Sequence, residues 1–251
     1  MNESIFFLSD THFSYHKNSG LERKKRKAFL SFLDEIRGAD RLYLLGDIFD
    51  FWFYGAHVPE PYRSILEGLL SLSRSGTEIL MTGGNHDHWL GDRISEAAGL
   101  TLLPTLATHE LQGLTVTMTH GDTLLPGDYA YKTLKAVIRS GPAIALARLV
   151  PPRALFAFAQ RFSAASKGAT HTQTERWARA LADSAEDSFF RWGNDVFVMG
   201  HVHLPLLRRF GERTFVILGD WEEHSSYLEL RNGKLSLRSY GPGDRIVNDN
   251  R

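Results

Sequence analysis

Short apolar runs of five or six residues recur along the chain: SIFFLS, RLYLL, EILMT, TVTMT, DVFVM and TFVIL. They are apolar at odd and even positions alike. That predicts strands buried on both faces rather than strands with one wet side. Between the early runs the period changes to that of a helix. In LERKKRKAFLSFLDEIR, the residues Leu21, Ala28, Phe29, Phe32, Leu33 and Ile36 fall on one face, and YRSILEGLLSLSRSG repeats the pattern and stops at Gly76. YLELRNGKLSLRSY reads as two alternating strands joined at Asn232-Gly233, a two-residue hairpin turn. Strand–helix alternation early and antiparallel strands late predict an α/β fold with its helices outside.

The residues just beyond each strand change the picture. FFLS is followed by Asp10-Thr11-His12, and LYLL by Gly46-Asp47-Ile48-Phe49-Asp50. ILMT is followed by Gly83-Gly84-Asn85-His86-Asp87, and TVTMT by His120-Gly121-Asp122. VFVM leads into Gly200-His201-Val202-His203, and FVIL into Gly219-Asp220-Trp221. Sites in open α/β sheets form beyond the carboxyl ends of strands, and glycine lets the backbone turn sharply there. Imidazole, carboxylate and amide oxygen are donors for hard-to-borderline divalent metals. His201 and His203, two apart, point to one side of an extended segment, as do Asp10 and His12. Asp47 has two oxygens and can bridge two ions; Asn85 adds a neutral oxygen and two amide donors. Seven such residues exceed one tetrahedral site and suit a pair of ions roughly 3.5–4 Å apart. Taken singly, each motif is more often a turn or a cap; in this order, each behind its own strand, they point to one centre.

Composition narrows the rest. The 251 residues are 43% hydrophobic and 23% charged, which allows one large domain spanning 1–251. There is no Cys, which excludes disulfides and thiolate metal sites and fits a cytoplasmic address. Formal net charge is zero, so no nucleic-acid partner is expected, and no protein partner is indicated. The opening MNESIFFLSD carries no basic leader, and no apolar stretch reaches about 18 residues, so neither a signal peptide nor a membrane-spanning helix is expected.

The series Asp-x-His, Gly-Asp-x-x-Asp, Gly-Asn-His-Asp, His-Gly-Asp and Gly-His-x-His resembles the signature of calcineurin-like metallophosphoesterases, over the whole chain outside roughly residues 123 to 171. The resemblance implies a four-layer αββα sandwich with two divalent ions, Mn favoured. Asp10, His12, Asp47 and His203 would hold one ion. Asp47, Asn85, His120 and His201 would hold the other. His86 would stand beside the phosphate as acid or charge stabiliser, and Asp87 would orient a His. His88 and Trp89 read as packing and surface residues; His16, His57 and His109 have no motif around them.

Residues 123–171 interrupt that signature with helical, apolar and basic sequence: Lys132, Lys135, Arg139, Arg148, Arg153, Arg161 and Lys167 face a single acid, Asp128. One reading is a helical hairpin packed on the core. The other is a helical lid that takes acyl chains and rests on an anionic membrane surface. The run RKKRK at 23–27 reads as a solvated helix face, with added membrane attraction as the alternative. HGDTLLPGDYAYKTLK, GDIFDFWF and GDW are similar to the UDP-2,3-diacylglucosamine pyrophosphatases of lipid A synthesis. That resemblance implies a nucleotide-activated glycolipid substrate, UMP and 2,3-diacylglucosamine 1-phosphate as products, and a peripheral place at the inner membrane. Asn85, Asp122, Tyr131 and Lys167 would contact the substrate. A well-known branch has Arg after the metal-binding Asn; this chain has His86. Another calcineurin-like phosphodiesterase or phosphatase, and a metal-binding scaffold without turnover, are the competing classes.

Overall fold

Each buried strand is shared between two cores, which is why its sequence is apolar on both parities. In β1 (Ser4–Leu8), Phe6 and Leu8 enter one core while Ile5 and Phe7 enter another. β2 (Arg41–Leu45) and β3 (Glu78–Thr82) divide their side chains in the same way. The computed structural model describes residues 3–15, 19–53, 58–124, 140–147, 149–151, 154, 171–190, 193–241 and 245–246.

Two sheets stack face to face. With β4 (Thr101–Leu102), β10 (Ser226–Arg231), β11 (Lys234–Ser239) and β12 (Arg245–Ile246), the first three strands form a sheet ordered β12-β11-β10-β1-β2-β3-β4. β1 to β4 run parallel, and β10 to β12 antiparallel to their neighbours. The second sheet is β5 (Leu106–Leu111), β6 (Leu114–Thr119), β7 (Val196–Met199), β9 (Arg213–Ile217) and β8 (Leu206–Phe210), in that order. β6, β7 and β9 are parallel here, so the expectation of antiparallel strands late in the chain holds only for β8 and for β10 to β12. Parallel pairing places the ends of β6, β7 and β9 on one edge, where their ligand-type residues can meet.

Helices cover both outer faces. α1 (Gly20–Glu35), α2 (Arg63–Arg74) and α3 (Asp92–Ala98) lie on the first sheet through Phe29, Phe32, Leu33, Ile65, Leu69 and Ile94. A short helix, α4 (Gly141–Ala147), comes next in the chain. α5 (His171–Asp183) and α6 (Ala185–Phe189) cover the second sheet, packing Ala178, Leu181 and Phe189 on Phe197, Phe215 and Ile217. The layers are therefore α, β, β, α, as expected. Ser19 starts α1 by accepting a hydrogen bond from Glu22 N–H (3.2 Å). Leu21, assigned to the apolar face of this helix, is instead 79% exposed, because it lies in the first turn, beyond the reach of the core. Asn232 and Gly233 take φ of 52° and 71°, as a tight hairpin of this type requires. Among the described residues no helix is long and apolar enough to cross a membrane. Most of the 123–171 insertion, including Tyr131 and Lys167, lies outside them.

Candidate metal centre

The ends of β1 and β2 are laced together before any side chain is considered. Asp10 N–H donates to the Gly46 carbonyl (3.1 Å) and His12 N–H to the Asp47 carbonyl (3.0 Å). Asp10, His12, Asp47 and His201 sit at φ of 53°, 44°, 53° and 66°, left-handed values that side-chain-bearing residues rarely adopt. Among the described residues only three other non-glycines share that region, so strain gathers at this edge. The neighbouring glycines are there for space. A Cβ on Gly84 would stand 2.1 Å from Asp47 Oδ1, one on Gly46 2.6 Å from Gly84 N, and one on Gly200 2.7 Å from Asp10 Oδ2.

The side chains converge in two overlapping groups. In the first, His12 Nε2 and His203 Nε2 are 3.2 Å apart and lie 3.7 and 3.3 Å from Asp10 Oδ1. In the second, His120 Nε2 lies 3.3 Å from Asp47 Oδ2 and 3.0 Å from Asn85 Oδ1, with His201 in the same group. Asp47 Oδ2 is also 3.8 Å from His12 Nε2, so this carboxylate stands between the groups. His86 belongs beside Asp47 and His12: its N–H holds Asp47 Oδ1 (2.8 Å), and its Nδ1 is 3.1 Å from the Asp50 carbonyl.

Burial makes this arrangement costly without positive charge. Burial alone would raise the pKa of Asp10, yet His12 and His203 hold it well below the usual carboxylate range. Burial opposes ionisation of Asp47 too, and His120 overrides it. In return the imidazoles take up protons. Burial would lower His120, but Asp47 pushes it up to about 10; His12 is raised well above its ordinary value by Asp10 and Asp50 against the same burial penalty. His201, buried and next to His120, is pushed down to about 4 and keeps its lone pair.

Divalent ions fit these donors. The 3.2 and 3.3 Å separations match neighbouring donors around an ion with bonds of about 2.1 Å. Asp10 Oδ1 and His12 Nδ1 are buried and make no hydrogen bond of normal geometry. His120 Nδ1 must donate to the Leu45 carbonyl (2.9 Å), so in the neutral ring Nε2 presents a lone pair to the oxygens of Asn85 and Asp47. Three acceptors facing one another is a cation site, filled by a proton when no metal is bound.

Some expected roles change. Asp87 orients no histidine: its carboxylate accepts the N–H groups of Asp47 (3.0 Å), Ile48 (2.8 Å), Phe49 (3.3 Å) and Gly84 (2.8 Å), fixing the loop that carries Asp47. The carboxylate behind a histidine is Asp50, with Oδ1 3.6 Å from His12 Nδ1; the second Asp of Gly-Asp-x-x-Asp was the available signal. Asp220 ends a sixth strand run but stays out of the cluster, bonded to Glu223 N (2.6 Å) and His224 Nδ1 (2.8 Å). In the RKKRK run, Lys25 and Arg26 are turned inward rather than solvated. Lys25 reaches the His12 carbonyl (2.8 Å) and Arg26 the Ser14 carbonyl (2.8 Å). Asp122 is buried, and its negative charge helps to raise His120. Trp89 packs edge-on with Phe51 and Phe53, and His109 meets the Tyr43 hydroxyl (2.7 Å) away from the centre.

An αββα sandwich whose strand ends gather imidazoles and carboxylates in this way defines a metallophosphoesterase. The profile described as "Calcineurin-like phosphoesterase" matches residues 4–205, and the chain belongs to that family. It is 30% identical to the UDP-2,3-diacylglucosamine hydrolase of Xanthomonas oryzae pv. oryzae, over 94% of this chain and 99% of the relative. It is 33% identical to the protein of the same name from Stenotrophomonas maltophilia, over 93% and 97%. Among solved structures, Vacuolar Protein Sorting 29 from Cryptosporidium parvum superposes with a TM-score of 0.49 at 13% identity, over 98% of this chain and 96% of that one.

Proposed function

We propose that this phosphoesterase hydrolyses the pyrophosphate bond of UDP-2,3-diacylglucosamine, releasing UMP and 2,3-diacylglucosamine 1-phosphate. The observation that carries the chemistry is Asp47 standing between two donor groups, with Oδ2 3.3 Å from His120 Nε2 and 3.8 Å from His12 Nε2. The substrate rests on similarity along nearly the full length of relatives with that name. Asp10, His12, Asp47 and His203 would hold one divalent ion, and Asp47, Asn85, His120 and His201 a second, with Mn favoured. When bound, the ions supply charge to the phosphoryl oxygens and lower the pKa of the attacking water.

The chain's own groups do the rest. With Oδ1 turned to an ion, Asn85 has its amide hydrogens left for a phosphoryl oxygen. His86 is aimed by the Asp50 carbonyl at Nδ1, which leaves Nε2 for the phosphate. There it would serve as acid or charge stabiliser. The leaving group is a sugar phosphate, stable as an anion, so charge stabilisation is the greater need. Residues 123–171 are proposed as the lid, with Tyr131 and Lys167 at its rim; Asp122, expected there too, is buried. Leu146 and Leu149 are 66% and 81% exposed, which supports contact with acyl chains and a membrane surface.

Hydrolysis of UDP-2,3-diacylglucosamine in ¹⁸O-water is the test. UMP carrying the label, formed with Mn²⁺ and abolished by chelator, is the expected result. Label in the sugar phosphate, or no turnover while a simple phosphodiester is cleaved, would rule the reading out.

A further inference from the structure

The buried charges on the inner side of α1 have no part in the phosphoryl chemistry, yet they grip the segment that carries His12. Lys25 Nζ donates to the His12 carbonyl (2.8 Å) and lies 3.1 Å from Glu22 Oε2 and 3.7 Å from Glu222 Oε1. Its side chain is only 9% exposed. His12 N–H is already held by the Asp47 carbonyl (3.0 Å). The residue is thus fixed from both sides at a φ of 44°, which the chain would otherwise leave.

Glu22 does not depend on Lys25 alone. Glu22 keeps Arg26 Nε (2.9 Å) and Ser14 N (3.0 Å) without it. Arg26 separately ties α1 to the Ser14 and Pro61 carbonyls. Among the described residues, the hydrogen bond to the His12 carbonyl comes from Lys25 alone. Burying an ammonium is costly where an apolar side chain would pack as well, so its presence calls for a role. Glu222 extends that role: the same loop sends Trp221 N–H to the Asp10 carbonyl (3.1 Å). Lys25 therefore links the segment bearing Asp10 and His12 to the loop of Trp221 and Glu222, which also holds Asp10.

We infer that Lys25 is a positioning residue for the ion position formed by Asp10, His12 and His203. Through the His12 carbonyl it sets the affinity of that position and leaves the one around His120 unchanged. The inference rests on the two-ion reading of the proposed function.

Mn²⁺ titration of the full chain, following the free-ion signal by electron paramagnetic resonance, tests it. The wild type is expected to bind two ions. Lys25→Met is expected to keep one at wild-type affinity and to bind the other 10- to 100-fold more weakly, the range about expected for groups behind a ligand. Lys25→Arg restores most of the loss, since a guanidinium can donate to the same carbonyl. Equal weakening of both ions, no weakening, or no recovery with Arg would overturn the inference while the two-ion reading stands. So would failure of both variants to fold, since Lys25 would then serve the fold. A wild type that binds fewer than two ions removes the two-ion reading itself, and this inference with it.

Discussion

His120 Nε2 and Asn85 Oδ1 face each other at 3.0 Å while the other ring nitrogen of His120 is committed to the Leu45 carbonyl. In the absence of metal the contact is kept only by a second proton on the ring, and Asp47 favours that proton, taking His120 up to about 10. His12 is raised as well. At about 10 the His120 ring is charged at pH 7.5 before metal enters, and His12 is shifted in the same direction. Metal must displace the His120 proton. Calorimetry of Mn²⁺ binding in buffers of different ionisation enthalpy should show release of about one proton per protein from His120, with affinity rising as pH rises from 6 to 8. Affinity that is flat over that interval would contradict this protonation pattern.

His86→Ala should lower kcat by roughly 10²–10⁴ and leave metal content near wild type. The backbone N–H of residue 86, not the ring, holds Asp47 (2.8 Å), and the alanine keeps it. Metal analysis beside kinetics decides: loss of metal in proportion to activity would make His86 a ligand or a structural residue.

Gly84→Ala adds one methyl group where a Cβ would lie 2.1 Å from Asp47 Oδ1. Asp47 has to move, and displacement of about 1 Å at such a centre costs on the order of 10² in rate. The variant should fold, bind Mn²⁺ weakly at both positions and lose at least that factor in kcat/KM. Near-normal activity would show that Asp47 is not where the chemistry depends on it.

Replacing residues 128–166 with a short Gly/Ser linker should leave hydrolysis of a small soluble phosphodiester within about tenfold, because the barrier depends on the ions and His86. Turnover of the diacylated nucleotide sugar should fall much further as remote binding energy is lost. Each buried acyl methylene is worth about 0.8 kcal/mol. Equal loss on both substrates would remove the lid from substrate selection.

The sandwich was legible because its central strands are apolar on both faces and end in conspicuous residues. Other elements carried weaker signals. β5 reads LATHEL, a half-wet edge strand whose Thr, His and Glu look like loop sequence. β8 is an edge strand that carries Arg208 and Arg209. The residue types at the centre were readable because chemistry restricts them. What they bond to was not. Asp87 and Asp50 are equally plausible partners for a histidine in sequence, and only the fold sends Asp87 to four backbone N–H groups and Asp50 towards His12. A run such as RKKRK resembles a solvated face until the helix turns Lys25 and Arg26 against the loop after β1.

Diffraction from crystals soaked in Mn²⁺, recorded at a wavelength where manganese scatters anomalously, tests the two-ion centre most directly. Two peaks within about 4 Å of each other are expected, with the Asp47 carboxylate between them. Asp10, His12 and His203 should surround one, and Asn85, His120 and His201 the other. A single tetrahedral ion, or ions held by other residues, would contradict it.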